Sequence, residues 1–226
     1  MTALIRMRLA AFVRGGRALA PAVVMLAVVG ILYGGGTSPA APAYGFSAVA
    51  FFPVVALSTK LLLDTEPDVQ RRLARVSVGP GRELGAGLLA ATLSGLLICL
   101  VAIVVPLGIG GITIDRSLPA GIGAGLLAHL LMLPAALALG ALSSRVITRT
   151  TQTGLITLLG GIILMLIFGL RGSIAPFLVP PMMAIGRALN SDALPTAATF
   201  GRLTAWALAW SLIALTLYIR LRRGRA

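Results

Sequence analysis

The chain has 226 residues, 58% hydrophobic and 11% charged, with a mean hydropathy of +1.01. A soluble domain of this size cannot hide so much apolar surface. In lipid every backbone polar group needs an internal partner, so the long apolar runs must be helices, and no segments of alternating polarity speak for a β-barrel. The net charge of +13 comes from 19 Lys and Arg against 6 Asp and Glu, and the basic residues mostly flank the apolar runs, which points to membrane orientation and away from nucleic acid.

Residues 1–17 read as an interfacial amphipathic helix, followed by a transmembrane domain over 18–226. At about 100° per residue, Arg6, Arg14 and Arg17 share an arc of about 80° while Ile5, Leu9 and Phe12 lie opposite; Arg8 spoils the pattern. The plainer alternative is a charged leader that only fixes topology. Six spans are expected, at roughly 18–36, 45–63, 84–106, 119–141, 153–170 and 199–219, each long enough to cross about 30 Å of hydrocarbon. A second reading makes the start a signal peptide with Ala41-Pro42-Ala43 as its small-residue site, leaving five spans. Gly30 with Gly34, and Gly121 with Gly125, have the spacing that lets helices approach closely, either within one subunit or between two.

Between the second and third spans, Thr65 and Asp68 have capping-box spacing and Pro67 falls in the first turn of an expected helix. Val69, Leu73 and Val76 form a narrow apolar stripe, and Asp68, Arg72 and Arg75 a charged stripe beside it. Gly79-Pro80-Gly81 ends the helix. Such a helix is either a solvated connection or a docking element whose stripe enters a groove of another protein.

Further along, Cys99 has no partner for an intramolecular disulfide and reads as a small core residue. His129 is the one ionisable residue deep in a predicted span; it is a pathway or gating candidate, or a packed histidine bonded to a carbonyl freed by Pro134. Residues 171–198 are too polar and too interrupted by Pro176, Pro180 and Pro181 to span, and fit a re-entrant or external hairpin or a plain loop. In the last span Tyr218, beside Arg220, is expected at the membrane interface.

Lys and Arg set the orientation. The N-terminal segment, the second-to-third and fourth-to-fifth connections and the tail (Arg220, Arg222, Arg223, Arg225) together carry fifteen, against four on the other side (Arg116, Arg171, Arg187, Arg202). Both ends are therefore expected in the cytoplasm, in a bacterial plasma (inner) membrane. With one histidine, no paired-histidine metal motif can form, and the single lysine, Lys60, follows Thr59 and precedes Leu61, so no Walker A loop exists.

The layout resembles the membrane subunit of ABC-2 type ABC transporters, mostly exporters. The resemblance rests on the basic N-terminal helix, the segment Asp64-Thr65-Glu66-Pro67-Asp68-Val69-Gln70-Arg71-Arg72-Leu73 with Gly81-Arg82-Glu83-Leu84 after it, the run Ala141-Leu142-Ser143-Ser144-Arg145, and the proline-rich stretch Pro176–Pro181 before the last span. Gly85-Ala86-Gly87 departs from it, since many members have a lysine after the glycine. The resemblance implies an all-α permease whose coupling helix, Glu66, Asp68, Val69, Arg71, Arg72, Leu73, Arg75 and Val76, meets a cytoplasmic ABC ATPase. It also implies a second permease copy or paralogue, and no cofactor in this chain, ATP and Mg being held by the ATPase. His129, Pro176, Pro180 and Pro181 are then candidates for the pathway or its gate. The cargo expected is a hydrophobic or amphipathic small molecule, lipid or peptide. A membrane enzyme, lipid-modifying or hydrolytic, and a non-transporting anchor or assembly factor are the competing readings.

Overall fold

Long apolar runs bounded by Gly, Pro and Arg fold into helices throughout. A computed structural model describes residues 1–191 and 194–223; Arg225 of the basic tail, and residues 192–193 of the 171–198 segment, lie outside the described residues. Helix α1 (Thr2–Arg14) turns by 70° into α2 (Leu19–Tyr33), through a break where Gly16 holds a φ of 70°. Then follow α3 (Ala40–Leu63), α4 (Asp68–Val78), α5 (Pro80–Gly108), α6 (Leu118–Leu142), α7 (Arg145–Thr148), α8 (Thr151–Gly169), a 3-10 turn (Pro176–Leu178), α9 (Met182–Leu189) and α10 (Ala197–Arg223). Among the described residues five helices are long and apolar enough to cross a membrane, and six if the bent pair α1–α2 forms one crossing. These apolar helices suggest a multi-pass membrane protein.

Helix α3 is the hub, packed against α2, α5, α6 and α9, and its closest partner is α6. In α3 67% of the most apolar window is buried and in α6 61%, against 22% in α8, so α3 and α6 form the inside of the bundle and α8 its outer wall. The approach of α3 to α6 depends on small residues. A Cβ at Gly125 would lie 2.4 Å from Tyr44 Cβ, and one at Gly140 would lie 2.4 Å from the Ala56 carbonyl oxygen. The Gly121–Gly125 pair is thus spent on packing within this chain. No neighbour from another helix comes within 4 Å of a Cβ built at Gly30 or Gly34.

One expected local feature takes another form, and one is met. Thr65 does not cap α4: its hydroxyl donates to the Leu61 carbonyl at 2.9 Å, and the helix starts at Asp68 after Pro67 with no side-chain cap. The hydroxyl satisfies the end of α3 and so is unavailable to the next helix. At the other end of α4, Gly79 adopts a φ of 86°, a conformation that favours glycine, and Pro80 opens α5 directly after it.

Candidate functional site

At one end of the bundle α1, α4, the start of α5 and the end of α10 meet around a single carboxylate. Glu83 is fully buried in the first turn of α5. Arg222, near the end of α10, donates from Nη2 to both Glu83 oxygens at 2.8 and 2.6 Å, and from Nη1 to the Tyr218 hydroxyl at 2.8 Å. Arg8 donates from Nη2 to Glu83 Oε1 at 2.5 Å and from Nη1 to the Glu83 carbonyl at 2.9 Å. The same guanidinium forks onto Glu66, with Nε and Nη2 each 2.7 Å from a carboxylate oxygen. Arg75 of α4 completes the ring, its Nε 3.6 Å from Glu83 Oε2. Two glutamates thereby tie the N-terminal helix, the connection before α4, α4 itself, α5 and α10 together. Bidentate guanidinium–carboxylate pairs fix direction as well as distance, so the joint is geometrically specific.

A second latch lies beside it. Lys60 donates to Asp64 Oδ2 at 2.7 Å, one turn apart on α3. Asp64 Oδ1 accepts the backbone N–H of Arg145 at 2.7 Å, so this carboxylate caps α7 from across the fold. Arg17 donates to the Asp64 carbonyl at 2.6 Å. Both latches sit at the C-terminal end of α3, on the side of the molecule that carries α4.

Helix α4 has two different sides. Arg71 faces inward and is buried, paired to Asp68, while Glu66 just before the helix is buried against Arg8. Arg72 is exposed. Val69, Leu73 and Val76 are 68%, 64% and 89% exposed, an apolar row left uncovered among the described residues. The expected charged stripe divides accordingly: Asp68 pairs with Arg71 and not with Arg72, and Arg75 turns toward Glu83.

The remaining sequence candidates lie elsewhere. His129 is fully buried between α6 and α3. Its Nδ1 is 2.8 Å from the Gly125 carbonyl, which can only accept, so Nδ1 carries the proton and Nε2 accepts from the Ser47 hydroxyl at 3.0 Å. Phe51 meets the ring edge-on at a centroid distance of 5.1 Å. The carbonyl partner is the one four residues back along α6, not one released by Pro134. Pro176 is exposed in the 3-10 turn, whereas Pro180 and Pro181 are buried just before α9. Helix α9 packs against the N-terminal half of α3: a Cβ at Gly45 would lie 2.9 Å from Leu189 Cβ, and the Trp210 indole holds the turn by donating to the Leu178 carbonyl at 2.8 Å. An apolar groove of about 350 Å³ runs beside it, lined in part by Phe46, Val49, Pro53, Ile162, Met182 and Met183. His129 and the prolines are therefore not assembled with the ion-pair network.

Arg8, Glu83 and Arg222 are the site residues that sequence reading passed over. Each left a trace. Arg8 lies in the apolar arc of an otherwise amphipathic helix, and Tyr218 and Arg222 are one turn apart. Tyr218 is fully buried in the network, where its hydroxyl accepts from Arg222. Compared with protein-family models, curated proteins and solved structures, the chain matches none, so its functional reading rests on its own geometry.

Proposed function

We propose that this chain is the membrane-spanning subunit of an ATP-driven transporter of the ABC-2 type, an exporter of a hydrophobic or amphipathic molecule. It works in a bacterial inner membrane with both ends in the cytoplasm, beside a second permease copy or a paralogue. ATP and Mg bind to a separate cytoplasmic ATPase. The observation that carries the reading is α4: a short helix with an uncovered row of Val69, Leu73 and Val76 on one side and, on the other, Arg75 turned to the buried carboxylate of Glu83. An apolar row flanked by Arg72 suits a partner groove with acidic rims. A push on that row is passed through Arg75 and Glu83 to α5, and through Arg8 and Arg222 to α1 and α10. Linkage of this kind is what a lever needs to convert closure of a neighbouring protein into helix movement.

The test is a double substitution, Arg72→Glu with Leu73→Asp. Both positions are exposed, so insertion and folding are expected to continue while co-purification of the ATPase from native membranes is lost. Full retention of the ATPase by the variant would refute the role of α4.

A further inference from the structure

Next to the buried network, α4 and the α7 segment enclose an open cleft of about 280 Å³. Five arginines line it, Arg71, Arg72 and Arg75 from α4 and Arg145 and Arg149 from α7 and its end, with Asp68 the one carboxylate in the lining. Asp68 is already paired to Arg71. The Arg145 guanidinium reaches only backbone carbonyls, those of Asp64 at 3.3 Å and Glu66 at 3.5 Å. Among the described residues neither Arg72 nor Arg149 forms an ion pair, and Arg71 Nη1 and Arg145 Nε are buried without a hydrogen-bond partner, whereas Arg75 Nε lies 3.6 Å from Glu83 Oε2. Arg71 is only 8% exposed, so its idle donor has already lost most of its hydration.

Buried donors without acceptors are rare in folded proteins, and guanidinium groups gathered at one place repel each other. An anion with several oxygens in the cleft relieves that repulsion and brings acceptors to the exposed guanidinium groups of Arg72 and Arg149. Backbone geometry adds an independent sign. Arg149 is the one non-glycine residue at positive φ among the described residues, at 69°, a conformation unfavourable for a long side chain and retained where surroundings demand it. A carboxylate offers two oxygens; a phosphate offers three or more, matched to the planar fork of arginine. The cleft also lies at the end of the apolar helices, where basic pockets meet lipid headgroups.

We propose that this cleft is a phosphate-binding site, filled by the headgroup of an anionic lipid or by a soluble phosphoester. The inference stands apart from the transport reading, because it needs no ATPase.

The full chain in phosphatidylcholine nanodiscs is titrated with pyrophosphate at constant ionic strength, and its melting is followed by tryptophan fluorescence. A parallel sample uses nanodiscs containing phosphatidylglycerol. Stabilisation by pyrophosphate supports a soluble phosphoester; stabilisation by phosphatidylglycerol alone supports a headgroup. Arg72→Gln with Arg149→Gln, both at exposed positions, is expected to weaken the effect at least about tenfold, the loss expected for one charge-assisted hydrogen bond. Arg149→Gly relieves the positive φ, so it is expected to melt higher than the parent without ligand and yet respond less to phosphate. The proposal is overturned if neither probe stabilises the chain, if sulfate at equal ionic strength does as well as pyrophosphate, or if the double variant responds like the parent. It is equally overturned if poly-glutamate stabilises where both phosphate probes fail, which would give the cleft to an acidic protein.

Discussion

The two ends of the bundle are held by different physics. Around Glu83, helices are joined by directed charge: Arg8, Arg75 and Arg222 converge on one carboxylate, and Glu66 and Asp64 extend the set to the connection before α4 and to α7. Where α9 meets α3, contact is by shape, with Gly45 against Leu189, Gly186 against Val49, and Met182, Ile185 and Leu189 buried. In a lipid environment apolar burial gives little preference for one helix neighbour over another, because lipid tails are as apolar as leucine. Close packing and polar bonds must then choose the arrangement. This chain uses close packing in the middle and at the α9 end, and polar bonds around Glu83.

That contrast predicts unequal responses to substitution. The largest effect is expected for Glu83→Ala, which strands Arg222 as a buried, unpaired cation and leaves Arg8 with Glu66 alone. Breaking a buried pair from one side destabilises by about 3–5 kcal/mol, measured here as an earlier midpoint in a denaturant titration of the purified protein. Survival of the variant at parental stability would mean that the network is decorative. A smaller loss is expected for Gly125→Val, since the added side chain starts 2.4 Å from Tyr44 Cβ and must push α6 off α3. Overpacking of this type costs about 1–3 kcal/mol, and the same titration checks it. Smallest of the three is His129→Leu, which removes the partner of the Ser47 hydroxyl and leaves the Gly125 carbonyl to its backbone bonds. About 1–3 kcal/mol is the ceiling for a buried polar group left unpaired. A transport defect with unchanged stability would instead give His129 a place in the pathway.

Much of the helix pattern was legible in the sequence because it follows from hydropathy and from breakers with local causes. The long apolar runs emerge as α2, α3, α5, α6, α8 and α10, and Gly79-Pro80 separates α4 from α5 because one residue must turn through positive φ and the next cannot continue a hydrogen-bonded helix. The apolar row of α4 was readable for the same reason, as helical periodicity alone puts Val69, Leu73 and Val76 together. The network was not, since its pairs lie 58, 75 and 139 residues apart and nothing local says which arginine meets which acid. Scarcity was the available clue. With 19 basic residues and 6 acidic ones, a buried acid has cations in excess around it, and an arginine on the apolar side of a helix has to find one. Thr65 shows the opposite failure: its spacing to Asp68 fits a capping box, but the preceding carbonyl at Leu61 takes the hydroxyl first.

The side of the membrane that α4 faces is the point on which the lever reading turns. Leu73→Cys offers an exposed thiol there, and the native Cys99 is buried and so adds little background. With a membrane-impermeant maleimide, labelling of Leu73→Cys is expected in inverted membrane vesicles and not in intact cells. Labelling in intact cells would put α4 outside, beyond reach of any cytoplasmic ATPase, and would contradict the account.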